Sequence, residues 1–255
     1  MKIITWNVNG IRARQTEVVA LLEEERPDVV CLQEIKASPE KVPALLVEAE
    51  GYWSYWHGSG GYSGVALLVR HGFVTSPPAF SHPAFDMESR IVVVDLGAFR
   101  VASVYVPNGG KDYEAKIRFF DALGAWADET RQSDGALLIC GDLNVAREER
   151  DVHPKERKPN QIGTRPDERA LLARLVDGAF RDVGRALDPD NDALFTFWPH
   201  WRNLRQRNIG WRIDYVLATE PVASTARTST SRREFGTSDH APVVVTFAPS
   251  SGGGS

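Results

Sequence analysis

Apolar residues in this chain come mostly in short runs that stop at a polar residue. Lys2-Ile-Ile-Thr-Trp6 alternates and gives way to Asn7-Val-Asn-Gly10, the pattern of a strand running into a loop. Residues 15–25 place Val18, Leu21 and Leu22 at helical spacing, and Pro27 ends the helix. Residues 28–33 read as a strand buried on both faces, ending at Glu34. A short helix is expected over 41–50, a glycine-rich loop around Tyr62 over 58–64, and a strand over 65–70. Residues 75–87 hold three prolines and little periodicity, so they read as loop.

Residues 90–95 and 99–106 read as the arms of a hairpin turning through Leu96-Gly97-Ala98. The longest helix is expected over 113–130, with Ile117, Phe120, Leu123 and Ala127 on its apolar stripe. Leu137-Leu-Ile-Cys140 is a buried-strand pattern that Gly141 breaks. Asp142 and Asn144 follow at spacing two, which in extended backbone points both side chains the same way. The charged, proline-containing stretch 147–163 reads as a long surface loop. Thr164 is the expected cap of a helix reaching Val176, with Pro166, Asp167 and Glu168 in its first turn and Gly178 ending it. Residues 193–198 and 212–217 are strand-like, and Ser238-Asp239-His240 precedes a last strand over 242–247.

Strands outnumber helices and many follow one another directly. That predicts a mixed α/β or α+β architecture rich in antiparallel pairs, not a doubly wound parallel sheet. There is no internal repeat, glycine-rich nucleotide fingerprint or Walker motif.

Composition adds limits. Hydrophobic content of 42% and charged content of 25% in 255 residues are ordinary for a globular protein. No apolar run approaches membrane-spanning length and no signal segment opens the chain, so a cytoplasmic protein is expected. Cys31 and Cys140 lie in apolar runs and read as buried thiols. The net charge of −4 does not exclude a nucleic-acid partner, because binding depends on where charge sits. From His200 to Arg212 there are four arginines and no acid. The stretch 249–255 has flexible-linker composition, which leaves 1–248 as a single expected domain.

Polar groups recur at the ends of the apolar runs: Asn7, Glu34, Tyr105, Asn108, Asp142, Asn144, Asp214, Asp239 and His240. Singly, the asparagines fit turns, Tyr105 fits a strand face and Asp239-His240 fits a turn with a satisfied histidine. Asp214 resists such a reading, since burying an unpaired carboxylate costs several kcal/mol. If these groups meet in space they make one cleft fit for acid–base chemistry.

Six motifs in order go further: Leu32-Gln33-Glu34, Gly61-Tyr62-Ser63-Gly64-Val65, Tyr105-Val106-Pro107-Asn108, Gly141-Asp142-Leu143-Asn144, Trp211-Arg212-Ile213-Asp214-Tyr215 and Ser238-Asp239-His240. The series resembles the exonuclease III family of abasic-site endonucleases, within the endonuclease/exonuclease/phosphatase superfamily, from Lys2 to about Phe247. The resemblance implies a four-layer sandwich of two packed mixed β-sheets flanked by helices. It implies Mg2+ or Mn2+ as cofactor and incision of duplex DNA 5′ to an abasic site, with removal of 3′-blocking groups and 3′–5′ exonuclease activity, in a monomer working at the nucleoid. Carried over residue by residue, Glu34 is the leading metal ligand, with Asn7, Asp239, Asp142 and Asn144 near the metal. Asp142 is expected to orient or deprotonate the attacking water and Asn144 to position Asp142 and the phosphate, while Asp214 pairs with His240, and His240 and Tyr105 act on the phosphate. Asn108, Tyr62, Lys111, Arg202, Arg205, Arg207 and Arg212 are expected on DNA. Phe197, Trp198 and Trp211, with Ile213, are expected to line a pocket for a flipped abasic sugar. Asn9 departs from the aspartate that some members carry, which removes one anion from the metal site. A superfamily relative acting on phosphoinositides, sphingomyelin or unmodified DNA, and a non-catalytic DNA-binding module, are the competing readings.

Overall fold

The computed structural model describes residues 1–49 and 51–248, so residue 50 and the stretch 249–255 lie outside it. In chain order, β1 (Lys2–Asn7), β2 (Val29–Gln33), β3 (Tyr52–His57) and β4 (Val65–Arg70) belong to a first sheet. Then β5 (Ala79–Ser81), β6 (Ile91–Asp95), β7 (Arg100–Tyr105), β8 (Leu137–Asp142), β9 (Phe180–Asp182) and β10 (Asp214–Thr219) make a second. The chain returns with β11 (Ala226–Ser231) and β12 (Val243–Phe247) to the first sheet. Strand order is β11-β12-β1-β2-β4-β3 in one sheet and β5-β6-β7-β8-β10-β9 in the other. The parallel pairs are β1/β2 and β7/β8. Each needs a crossover, supplied by α1 (Gln15–Glu25) and α3 (Tyr113–Asp134) respectively. Shorter helices are α2 (Ala44–Val47), α5 (Val183–Leu187) and α6 (Glu220–Ala223), and α4 (Pro166–Gly178) covers the second sheet beside α3.

Strand alternation sorts the apolar residues into layers. Ile3, Cys31, Leu67, Val101, Leu138, Cys140 and Val216 fill the space between the sheets. Ile4, Trp6 and Val30 face outward and are covered by Val18 and Leu21 of α1. Ala102, Ile139 and Leu217 are covered by Phe119, Phe120 and Leu123 of α3 and Leu172 of α4. Both faces of each central strand are therefore dry, which explains the near-continuous apolar runs. This is the anticipated sandwich of two mixed sheets with helices outside.

Several local expectations are corrected. Gly141 does not end β8: its φ is +153°, and a Cβ there would lie 1.9 Å from the Val104 carbonyl oxygen, so it lets β7 approach closely. Residues 41–50 are not one helix; a 3-10 turn over Pro39–Lys41 precedes the four-residue α2. Arg165, not Thr164, precedes the first turn of α4, and Glu168 closes it by accepting from the Arg165 and Gly163 amides. Residues 193–198 form no ladder; Phe197 alone bridges to Trp211 and His240. The loop over 75–87 contains β5. The unforeseen β3, β9 and β11 are sheet-edge or very short strands with half-buried or polar residues, so their hydrophobic signal is weak.

Candidate active site

The functional side chains gather at one end of both sheets. On the second sheet, Asp142 ends β8 and stands directly opposite Asp214, the first residue of β10, and Tyr105, the last of β7. On the first, Asn7 ends β1 and pairs with Gln33, so Glu34 follows at the same level. His240 and Asp239 come from the turn before β12. Beneath the site, Gln33 Nε2 donates to Ser103 Oγ at 3.0 Å and to Thr5 Oγ1 at 3.1 Å, and Ser103 Oγ donates to the Leu32 carbonyl. This buried polar stitch fixes one sheet against the other.

The chain leaves strand geometry where it turns side chains into the site. Asn9, Glu34 and Asn144 all have φ near +50° (45°, 49° and 53°), the left-handed region. Asn144 thus reaches Asp142 through this turn and not through extended backbone as expected. Its backbone N–H donates to Asp142 Oδ1 (2.9 Å), and its Nδ2 donates to Asp142 Oδ2 (3.2 Å) and to the Val106 carbonyl (2.8 Å). Asn7 Nδ2 donates to both Glu34 Oε1 and Asp142 Oδ2 at 2.9 Å, while its oxygen accepts the Asn9 amide. Asn7 therefore aligns two carboxylates with its donors at the centre of the candidate metal site. Asn9 bonds Asp239 Oδ1 through Nδ2 (2.8 Å), and Lys36 Nζ lies 2.7 Å from Glu34 Oε2.

His240 Nδ1 is 2.8 Å from Asp214 Oδ2, which also accepts from Thr196 Oγ1 at 2.6 Å; Nε2 points toward Asp142 Oδ2 at 3.8 Å. Burial opposes a charged imidazole, but the Asp214 and Asp142 carboxylates outweigh it and push His240 up to about 10. That favours the imidazolium form at neutral pH, in which Nδ1 donates to Asp214 and Nε2 also carries a proton. Burial is the largest influence on Asp142 and, with repulsion from Asp214 and Glu34 against the pull of His240, raises it to about 7. Glu34 is held below its usual range despite burial, by hydrogen bonds from Asn7 and Lys36. Burial pushes the Tyr105 phenol well up, and Glu34 and Asp142 add to it, so it stays protonated.

A divalent cation fits this donor set. Glu34, Asp142 and Asp239 bring hard oxygens to one cleft, and burial together with the nearby carboxylates disfavours the charged form of Asp142, a cost that such an ion offsets. Asp142, Asp214 and His240 also lie close enough to share an ion, but the Asp214–His240 hydrogen bond occupies that edge.

The cleft has a volume of about 440 Å³. Its polar wall is Glu34, Tyr105, Asn108, Asp142, Asn144, Asp239 and His240; its apolar wall is Phe197, Trp211 and Ile213. Phe197 packs against the His240 ring with centroids 4.8 Å apart. Trp198 is corrected: the next residue along extended backbone points away, and it is buried with Phe195, Leu204, Ile209 and Ala241. Trp201, unforeseen in the sequence, is 59% exposed at the cleft, where Lys158 and Gln161 of the long loop also stand.

The arginines divide. Arg202 and Arg207 are exposed, as are Lys111 and Tyr62; the Tyr62 hydroxyl accepts from Arg90, whose guanidinium stacks on Tyr105. Arg205 is corrected from a DNA contact, because its three nitrogens donate to the carbonyls of Arg233, Ser238 and Phe235 and hold the Asp239-His240 turn. Arg212 is corrected too. It is 4% exposed and paired with Asp151 and Asp182 at 2.8 Å each, beside Arg185. Arg212→Ala should strand the buried Asp182 carboxylate, leave Asp151 with Arg185 alone, and destabilise the protein by roughly 3–5 kcal/mol in urea unfolding. Asp151 is held below its usual range because Arg212 and hydrogen bonds outweigh burial. That stability is present above the unfolded pKa and lost as pH falls through the folded one. The gap between variant and wild type should therefore shrink below about pH 4. Lost DNA affinity at unchanged stability would return Arg212 to the DNA surface.

The chain is similar to known proteins in sequence and in fold. The model described as the Endonuclease/Exonuclease/phosphatase family matches residues 4–240. The exodeoxyribonuclease of Bacillus subtilis is 32% identical over 250 residues, which are 96% of this chain and 98% of that protein. Recombination repair protein 1 of Drosophila melanogaster is 31% identical over 97% of this chain, which spans 37% of that longer protein. Among solved structures, a 3′ phosphatase from Neisseria bound to product DNA hairpin matches with a TM-score of 0.89 and 30% identity, covering 97% of this chain and 99% of that one. An AP endonuclease from Archaeoglobus fulgidus matches with a TM-score of 0.88, 30% identity and the same coverage. The chain belongs to the endonuclease/exonuclease/phosphatase family, on its exodeoxyribonuclease III branch.

Proposed function

We propose that this protein is a divalent-metal-dependent DNA-repair nuclease that cuts the phosphodiester 5′ to an abasic site in duplex DNA. Clearing 3′-blocked ends and degrading duplex DNA from the 3′ end belong to the same reading. The observation that carries it is one cleft with a positioned carboxylate and imidazole on its polar side and an apolar patch adjoining them. Glu34 and Asp239 would hold Mg2+ or Mn2+ with Asp142 and Asn144 beside it, and the ion supplies Lewis-acid stabilisation of phosphate charge.

Asp142 takes the proton of the attacking water, and Asn7 and Asn144 hold its carboxylate in place. His240, kept charged by Asp214, donates from Nε2 to a phosphate oxygen as negative charge grows there. The Tyr105 hydroxyl and Asn108 bind the phosphate, while Tyr62, Lys111, Arg202 and Arg207 face the DNA backbone. Residues 1–248 act as one catalytic domain in a monomer working on DNA in the cytoplasm, at the nucleoid. Incubating a synthetic abasic duplex with Mg2+, with and without EDTA, tests the reading. The absence of EDTA-sensitive incision beside the abasic site overturns it.

Damage is chosen at the apolar wall. A baseless sugar can be extruded without unstacking a base, and Phe197 and Trp211 narrow the cleft beside Asp142. Truncating both to Ala should lower abasic incision and lower the ratio of abasic to undamaged cutting. Affinity for undamaged duplex should hold, because phosphate contacts supply non-specific binding. Wild-type selectivity in the double variant would show that damage is read elsewhere.

A further inference from the structure

A second cluster of ligand-type side chains lies at the open edges of the two sheets, outside the cleft lining. The outermost strands β3 and β5 meet there, with the Tyr55 and Phe80 rings stacked at 5.4 Å. His57 ends β3, and His82 and Asp86 follow β5. His57 Nε2 is 2.6 Å from Asp86 Oδ2, and the His82 ring stacks on His57 with centroids 4.5 Å apart. One ligand atom from each of the three residues lies within 4.8 Å of the others.

The carboxylate is held ready. Asp86 Oδ1 accepts from the backbone amides of Arg90 (2.8 Å) and Ile91 (3.1 Å), which turns Oδ2 toward His57. The Asp86 side chain is only 7% exposed and that of His57 19%. Two ligand atoms on one tetrahedral ion, with bonds of about 2.0–2.1 Å, stand roughly 3.3 Å apart. The His57–Asp86 pair therefore opens by less than about 1 Å to admit an ion. His82 is exposed and free of the fold's interior, so its ring turns out of the stack to aim a nitrogen lone pair.

We propose that His57, His82 and Asp86 form a binding site for a borderline divalent transition cation such as Zn2+, separate from the catalytic centre. Imidazole nitrogens favour such ions, whereas Mg2+ prefers oxygen ligands. Three protein ligands leave a fourth position to water. On loading, the ion takes the His57 Nε2 lone pair and any proton there passes to solvent. The ion ties the edge of one sheet to the other. It also steadies the loop that carries Tyr62, since His57 adjoins that loop and the Asp86-clamped Arg90 bonds Tyr62 at 3.0 Å.

The test is calorimetric titration of Zn2+ into the full chain at saturating Mg2+. Wild type should bind one equivalent that His82→Ala binds about tenfold or more weakly, a loss on the scale of a damaged ligand set. His82→Cys, which restores a soft ligand, should recover the equivalent. Mg2+-supported activity before zinc is added should be the same in all three proteins. Equal zinc uptake by wild type and His82→Ala, or no uptake by wild type, overturns the proposal.

Discussion

Asp142→Asn should lower the single-turnover rate of abasic-site cleavage by about 10²-fold or more, the effect expected when a positioned base is lost. The substitution is nearly isosteric, and Asp142 is 1% exposed among three polar neighbours, Asn7, Asn144 and His240, so the fold should persist. Without metal, burial and the nearby carboxylates raise Asp142 to about 7. The carboxylate that accepts a proton from water thus predominates only above that value, and a divalent ion should lower it. In wild type the rate should accordingly rise with pH through a titration lying below about 7 at saturating Mg2+, and the variant should lack it. A variant that keeps both the rate and the titration would place the base on another group.

His240→Asn should be comparably severe, because it removes a charged donor beside the phosphate. Asp214→Asn should also be damaging, since it cuts the 2.8 Å contact that holds His240 charged. The double variant should be no slower than His240→Asn alone, because Asp214 acts through the imidazole. Single-turnover rates for the three proteins complete the cycle. Fully additive losses would mean that the two residues work independently.

The central strands and the candidate site were readable because burial on both faces leaves a continuous apolar signal. Polar groups at the ends of such runs, Asn7, Glu34, Asp142 and Asp214 among them, do converge. Their convergence followed from the motif resemblance and not from periodicity. Edge strands escaped notice because β3 is half-buried along most of its length and β11 is polar with several exposed residues. The basic stretch was misread where contacts are distant. Asp151 and Asp182, which neutralise Arg212, lie 61 and 30 residues away along the chain. Arg205 spends its charge on carbonyls, which composition cannot show. Trp198 shares its neighbour's character but faces the other way, and only the backbone direction at Phe197 decides which ring meets the cleft.

The polar stitch from Gln33 to Ser103 has a consequence for how the protein fails. Glu34 and Asn7 ride on one sheet, while Asp142, Asp214 and Tyr105 ride on the other. The distance from Glu34 to Asp142 therefore follows the spacing between sheets, with the single turn residue Glu34 directly after β2. Inactivation by heat should follow slippage of the sandwich itself, and enlarging a side chain at the sheet interface should silence the enzyme while its secondary structure still survives.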